Sequence, residues 1–356
     1  MKILITGNMG YVGPCVVERL RFSYPRAMII GLDTGYFANC VTDAVRRPES
    51  LVEVQYHADV RDFPGGLLAG VDTIVHLAAI SNDPMGEMFQ EATIDVNHRE
   101  TIALASHAKQ AGTKNFVFAS SCSMYGFSEE EARTENSPVN PLTAYAKSKV
   151  FAERDLAPLA DKMFTVTSLR FPTACGMSER LRLDLVLNDF VAGAVVLKKI
   201  TVLSDGTPWR PLINVKDMAR AIDWAVGRKR ESGGEFLALN VGSDPWNYQV
   251  RDLAFAVAEL IPGVVVEINR NAQPDKRSYR VNFGLFKELA PGYQPEVSLK
   301  DTINELVAGL ESIRFRDANY RGSNFIRLKM LNTLYQKGFI TETLEWKTRK
   351  CQKTSG

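Results

Sequence analysis

Tyr145 and Lys149 stand four residues apart in the segment Tyr145-Ala146-Lys147-Ser148-Lys149. On a helix, that spacing puts both side chains on one face. A free tyrosine titrates near 10 and is a poor base at neutral pH, but a nearby cation favours its phenolate. A tyrosine held this way can take a proton from a substrate hydroxyl. A second chemical signal lies at the start of the chain. Gly7-Asn8-Met9-Gly10-Tyr11-Val12-Gly13 has the spacing G-x-x-G-x-x-G and separates an apolar run from an amphipathic one. Glycines in that context let backbone approach a pyrophosphate at a helix N-terminus. About twenty residues further, Ile29-Ile30-Gly31-Leu32-Asp33 ends in the acid that a ribose would need. Asp33 can accept from both ribose hydroxyls and would repel a 2′-phosphate. No Arg follows it at once, so NAD is favoured over NADP. With NAD⁺ bound, hydride can leave to the nicotinamide while Tyr145 takes the proton.

These residues need a scaffold, and the chain reads as one. Strand-like runs at Lys2–Thr6, Ala27–Leu32, Val52–Tyr56, Thr73–Leu77, Asn115–Ala119 and Phe164–Leu169 alternate with helical stretches at Tyr11–Ser23, Ile94–Ala111 and Ala144–Ala157. Strands apolar at nearly every position are buried on both faces, and such alternation predicts βαβ units in a doubly wound parallel sheet, an α/β fold of Rossmann type. Helices are expected at Leu181–Ala194, Asp217–Val226, Val250–Leu260, Asp301–Ile313 and Asn324–Gln336, and strands at Ile200–Leu203, Phe236–Val241 and Val264–Ile268. Ser120-Ser121-Cys122-Ser123-Met124-Tyr125-Gly126 falls at the carboxyl end of a strand, where such sheets place their chemistry. There a Ser hydroxyl can bond the reacting oxygen and the tyrosine. Asp59-Val60 follows the third strand-like run, where it can hold the adenine. Leu77-Ala78-Ala79 ends the fourth with small residues that admit a cofactor.

Composition narrows the remaining classes. The 356 residues carry 43 Lys+Arg against 41 Asp+Glu, and 45% are hydrophobic. That balance argues against a nucleic-acid partner and against wholesale disorder. Five Cys without C-x-x-C spacing and four scattered His indicate neither a disulfide framework nor a metal site. No run reaches 18 apolar residues, and the N-terminal run is short for a signal peptide. The expectation is a cytoplasmic protein without a membrane span. Lys347–Gly356 is expected to be a flexible basic tail.

Glycine turn, acid, serine and Tyr/Lys pair are each unspecific alone, yet they occur here in one order. Together with VHLAA at 75–79, Asn97, LRFPTACG at 169–176 and WRPLINVKD at 209–217, they make the chain resemble the extended short-chain dehydrogenase/reductases. Over roughly residues 1–310 it is similar to the NAD-dependent nucleotide-sugar epimerase/dehydratase branch, notably to UDP-glucose 4-epimerases. The resemblance implies a catalytic set of Ser121, Tyr145 and Lys149. It implies NAD contacts from Gly7, Gly10, Tyr11, Val12, Gly13, Asp33, Asp59, Val60, Leu77, Ala78, Ala79, Asn97, Tyr145, Lys149 and Pro172. Substrate contacts would come from Ser81, Ser123, Thr173, Asn188, Arg210 and Arg277. Of these, Arg210 matches the family's diphosphate-binding arginine, and a guanidinium fork suits that group. Arg180 and Arg182 are further cations near the substrate segment.

The family oxidises a sugar carbon, usually C4, to a ketone, and then diverges. Its 4,6-dehydratases carry an Asp-Glu pair directly after the catalytic hydroxyl; here those positions are Cys122 and Ser123. Its 3,5-epimerases place a cysteine where this chain has Ser123. The expectation is therefore 4-epimerisation of a nucleotide-diphosphate sugar. A 4-dehydrogenase or 4-ketoreductase is the near alternative, and a non-catalytic NAD-binding regulator the distant one. The division expected is 1–175 plus 212–245 for NAD, and 176–211 plus 246–346 for substrate. A homodimer paired through helices near 97–111 and 144–157 is implied by the resemblance alone.

Overall fold

The structure is a computed structural model describing residues 1–42, 47–128, 131–272 and 277–347. In chain order the first half holds β1 (Lys2–Thr6), α1 (Gly13–Ser23), β2 (Met28–Asp33), β3 (Val54–His57), β4 (Thr73–His76), α2 (Asp83–Met88), α3 (Gln90–Ile94), α4 (Glu100–Gln110), β5 (Asn115–Ser121) and α5 (Ala144–Leu156). After it come β6 (Thr165–Phe171), β7 (Thr173–Cys175), α6 (Val186–Leu197), β8 (Lys199–Val202), β9 (Trp209–Asn214), α7 (Val215–Gly227) and β10 (Phe236–Asn240). The remainder is β11 (Asn247–Gln249), α8 (Val250–Leu260), β12 (Val265–Ile268), α9 (Gly284–Leu289), α10 (Leu299–Ser312) and α11 (Arg327–Gln336).

Seven strands form one sheet in the order β10-β6-β5-β4-β1-β2-β3, every neighbouring pair parallel. Side chains alternate across a strand. In β1, Ile3 and Ile5 therefore enter the core beneath α1 and α7, while Leu4 enters the core beneath α4 and α5. A strand with both faces covered has to be apolar throughout, as β1 is. Strand order reverses between β1 and β4, and the crevice at such a switch point is where doubly wound sheets hold their ligands.

A third core gathers α6, α8 and α10 around Leu187, Val191, Leu253, Ile303 and Leu306. Two small sheets adjoin it: β11-β9-β7 and β12-β8. The short strands β7, β9 and β11 were not among the elements read from the sequence. Leu181–Leu185 is not helical as expected; α6 begins at Val186. Leu181 and Leu183 are fully buried, and Arg180 and Arg182 are nearly so, which a chain passing between two packed bodies allows and a one-sided helix does not. The expected helix 94–111 is broken by a wider π turn at Asp95–Arg99.

Residues 327–346 pack unlike the rest of the substrate part to which the sequence reading assigns 246–346. Met330, Leu331, Leu334, Ile340 and Leu344 join Leu32, Tyr36, Val60 and Phe89 in the core under the main sheet. Polar ties reinforce this seat. The Tyr36 hydroxyl donates to the Leu344 carbonyl. Arg61 donates to the carbonyls of Thr343 (2.7 Å) and Leu344 (3.1 Å). Trp346 Nε1 donates to the Thr34 carbonyl at 2.8 Å, and its ring lies 5.6 Å from that of Tyr36. The expected tail lies outside the described residues beyond Lys347.

Candidate active site

A cavity of about 1030 Å³ runs along the carboxyl ends of β1, β2, β4, β5 and β6 and under α6. It lies at the upper end of the range for small-molecule clefts. Its first wall is the glycine turn. Gly7 has φ +74°, and a Cβ there would sit 2.5 Å from the Ala78 nitrogen. At Gly13 a Cβ would meet the Asn8 carbonyl oxygen at 2.0 Å. Both positions therefore require glycine. α1 begins after Val12 with no side-chain cap, so its first amides keep their donors for an anion. Tyr11 is pinned by its hydroxyl, which donates to the Gly176 carbonyl at 2.6 Å and accepts from Asn188 at 2.9 Å.

Asp33 closes this end. One carboxylate oxygen accepts the Met9 amide at 3.0 Å and the other the Gly35 amide at 2.8 Å. Burial raises its pKa while these two amides pull it back. The carboxylate is thus fixed with lone pairs to spare for ribose hydroxyls. Asp59 and Val60 line the same end, and Arg61 grips Asp59 through Nε and Nη2 at 3.0 and 2.7 Å. A cradle that no Cβ could share, uncapped helix amides and a fixed carboxylate fit a dinucleotide. When bound, NAD would supply the hydride acceptor and donor of the reaction.

The second cluster hangs from β5 and α5. The Ser121 hydroxyl donates to Ser123 Oγ at 2.9 Å and shares the cavity wall with Tyr145. Thr143 caps α5 by accepting the Ala146 amide at 3.1 Å, which sets the turn carrying Tyr145. Lys149 Nζ donates to the Ala119 carbonyl at 2.8 Å and lies 5.8 Å from the Tyr145 ring centre. Burial pulls Lys149 down to about 7, and the Glu153 carboxylate opposes that pull. Tyr145 is pushed up to about 12, first by burial, with the neighbouring Ser121 hydroxyl acting against it. Glu153, one turn beyond Lys149, accepts from Arg170 at 2.7 Å and from Ser120 at 2.5 Å.

The third wall belongs to the substrate side. Ser81, Ser123, Thr173, Arg210 and Arg277 all line the cavity. Arg277 is paired with Asp83 at 2.9 Å, and Arg182 grips Asp184 and the Ser81 hydroxyl. Two expected contact residues do not reach the cavity. Asn188 is fully buried and spends its amide on the Gly176 amide, the Tyr11 hydroxyl and the Arg182 carbonyl. Asn97 is fully buried in the π turn, bonded to both backbone groups of Ile80 and to Ser148. Both shape the wall from behind. Cys122 is buried, and its thiol donates to the Arg170 carbonyl. The sequence reading missed Glu153, Asp184 and Arg327; Asn82, expected with Ser81-Asn82-Asp83-Pro84 on the sugar side, lines the cavity. Only Glu153 had a signal, its i+4 spacing from Lys149.

A crossover sheet with a dinucleotide cradle at its reversal point, and Tyr/Lys on the next helix face, defines an NAD-dependent enzyme of the extended short-chain dehydrogenase/reductase class. The comparisons narrow this. The model of the NAD dependent epimerase/dehydratase family matches residues 3–242, and the chain belongs to that family. It is 27% identical to a dTDP-glucose 4,6-dehydratase of Streptomyces griseus, over 86% of this chain and 93% of that one. It is also 27% identical to a UDP-glucose 4-epimerase of Streptomyces lividans, over 75% and 83%. The fold resembles that of a UDP-glucose 4-epimerase from Stenotrophomonas maltophila, solved with NAD and formylated UDP-arabinopyranose. There the TM-score is 0.74 at 23% identity, covering 88% of this chain and 98% of that one. Among the described residues no helix is long and apolar enough to cross a membrane, and no three His, Cys, Asp or Glu converge as a metal site.

Proposed function

We propose that the protein is an NAD-dependent 4-epimerase of a nucleotide-diphosphate sugar. The observation that carries this reading is the convergence of Ser121, Tyr145 and Lys149 on one wall of the cavity, with no carboxylate at 122 or 123 to eliminate water. Tyr145 takes the proton of the C4 hydroxyl, and Ser121 holds that oxygen in line. The Lys149 ammonium favours the phenolate and holds the nicotinamide ribose. After the 4-keto sugar turns over, Tyr145 returns the proton to the oxygen on the other face. Arg210 and Arg277 serve the substrate's diphosphate end. A dehydrogenase or ketoreductase would use the same residues, but it would consume or produce NADH stoichiometrically, whereas an epimerase is redox-neutral. A homodimer in the cytoplasm belongs to the same proposal, and light scattering tests the dimer.

The test is Tyr145→Phe, assayed against a panel of nucleotide-diphosphate sugars by NMR. Loss of a general acid–base costs about 10²–10⁴-fold. Turnover should fall by that much while bound NAD is retained. Unchanged C4 inversion would end the proposal.

A further inference from the structure

Arg327 opens α11 and lines the cavity, yet the family model ends at residue 242. Its side chain is 1% exposed. Nη2 donates to the Arg180 carbonyl at 2.6 Å, and the guanidinium carbon lies 4.6 Å from the centre of the Phe37 ring. Among the described residues, its buried Nη1 has no hydrogen-bond partner. Neighbouring arginines are matched: Arg180 pairs with Glu49, and Arg182 pairs with Asp184. Among the described residues Arg327 has no such ion pair. Burial pulls it down to about 10, and Arg182 and Arg180 add to that, while Cys40 and Asp184 act against it. A buried cation with a spare donor is costly unless an anion meets it.

The helix beneath points the same way. Ile326 offers no side-chain cap, and Ile326, Arg327 and Leu328 all line the cavity. The start of α11, with the positive end of its dipole, therefore lines the same part of the cavity as Arg327. The place along the cavity identifies the anion. Phe37, on which Arg327 stacks, follows Asp33 by four residues, and Thr34 and Tyr36 line the same wall.

We propose that Arg327 and the N-terminus of α11 form a second anchor for a nucleotide diphosphate, that of the dinucleotide, facing the glycine turn across the cavity. A guanidinium fork fits two phosphate oxygens by charge and geometry. The inference rests on the NAD reading and adds a contact from a part of the chain outside the matched family segment. The substrate carries a diphosphate too, so the test separates the two sources.

The experiment uses the full chain freed of nucleotide. Calorimetric titration with NAD, ADP-ribose, adenosine and UDP compares the wild type with Arg327→Met. NAD and ADP-ribose should weaken at least tenfold, while adenosine and UDP change less than twofold. The salt dependence of NAD affinity should flatten as well. Unchanged NAD affinity overturns the inference. So does a loss confined to UDP, which would assign the corner to the substrate, or an equal loss of adenosine, which would make Arg327 a packing residue. Should Arg327→Met not fold, Arg327→Lys takes its place: at least a threefold loss for NAD is expected, and unchanged affinity overturns the inference. A wild-type chain that takes up neither NAD nor ADP-ribose would instead refute the cofactor reading itself.

Discussion

Glu153→Gln separates what the site's electrostatics do for stability from what they do for chemistry. The Glu153 carboxylate and the Arg170 guanidinium meet at 2.7 Å with side chains 8% and 10% exposed. Arg170 also donates to the Tyr125 hydroxyl at 3.0 Å, and Ser120 donates to Glu153 at 2.5 Å. Removing one partner of a buried pair costs about 3–5 kcal/mol, because the other charge is left uncompensated. Gln keeps an acceptor oxygen for Arg170, which places the expected loss near the lower figure, about 3 kcal/mol. Urea unfolding of the nucleotide-free protein measures it. Glu153→Gln combined with Arg170→Met should recover at least half of the loss, since no buried charge is then left alone. The same carboxylate supports protonation of Lys149, which burial has already drawn down to about 7. Without it the Lys149 ammonium is lost at lower pH, and the alkaline limb of the kcat/KM profile should move down by about one unit. A single variant within about 1 kcal/mol of wild type, or a double variant no better than the single, would refute the stability argument. An unmoved alkaline limb would refute the coupling to Lys149.

Two further outcomes are expected. His76 is buried between Thr6 and Thr101 and drawn down to about 3 by burial. The unfolded chain therefore binds a proton between about pH 6.5 and 3 that the folded chain refuses. Stability should fall through that window by about 5 kcal/mol, measurable by urea unfolding at stepped pH. Gly13→Ala would press a methyl group to within 2.0 Å of the Asn8 carbonyl oxygen. It should cost about 1–3 kcal/mol and weaken NAD at least tenfold by calorimetry, and normal binding would show that the turn does not cradle the dinucleotide.

The main sheet was legible because β1, β2, β4 and β5 are apolar on both faces and bounded by glycine or polar turns. Strands of three residues, β7 and β11, carry too short a pattern to be read; β9 contains Arg210 and Pro211 and looked like a motif rather than a strand. The start of α6 was misplaced because Leu181/Leu185 and Leu183/Leu187, each four apart, mimic helical apolar spacing, although the helix begins only at Val186. Within the site, Gly7, Asp33, Ser121, Tyr145 and Lys149 were read because their order carries the chemistry. Asn188 and Asn97 match motif positions, yet their amides are consumed by backbone behind the wall. Arg327 could not be read at all. Its meaning depends on a fold-back from far along the chain, and nothing local at 324–336 announces which surface that helix will meet.

The seat of residues 327–346 bears on how the molecule is made. Tyr36 and Leu344, which hydrogen-bond, are 308 residues apart in sequence. During synthesis the sheet strands and the glycine turn emerge early, and domains generally fold as they emerge. The rim beside Asp33 stays open until Trp346 can reach Thr34. A chain stopped at 326 would present the cradle without Arg327 and without the Tyr36–Trp346 stack. The wall beside Asp33 is thus finished by a segment 312 residues downstream of Thr34.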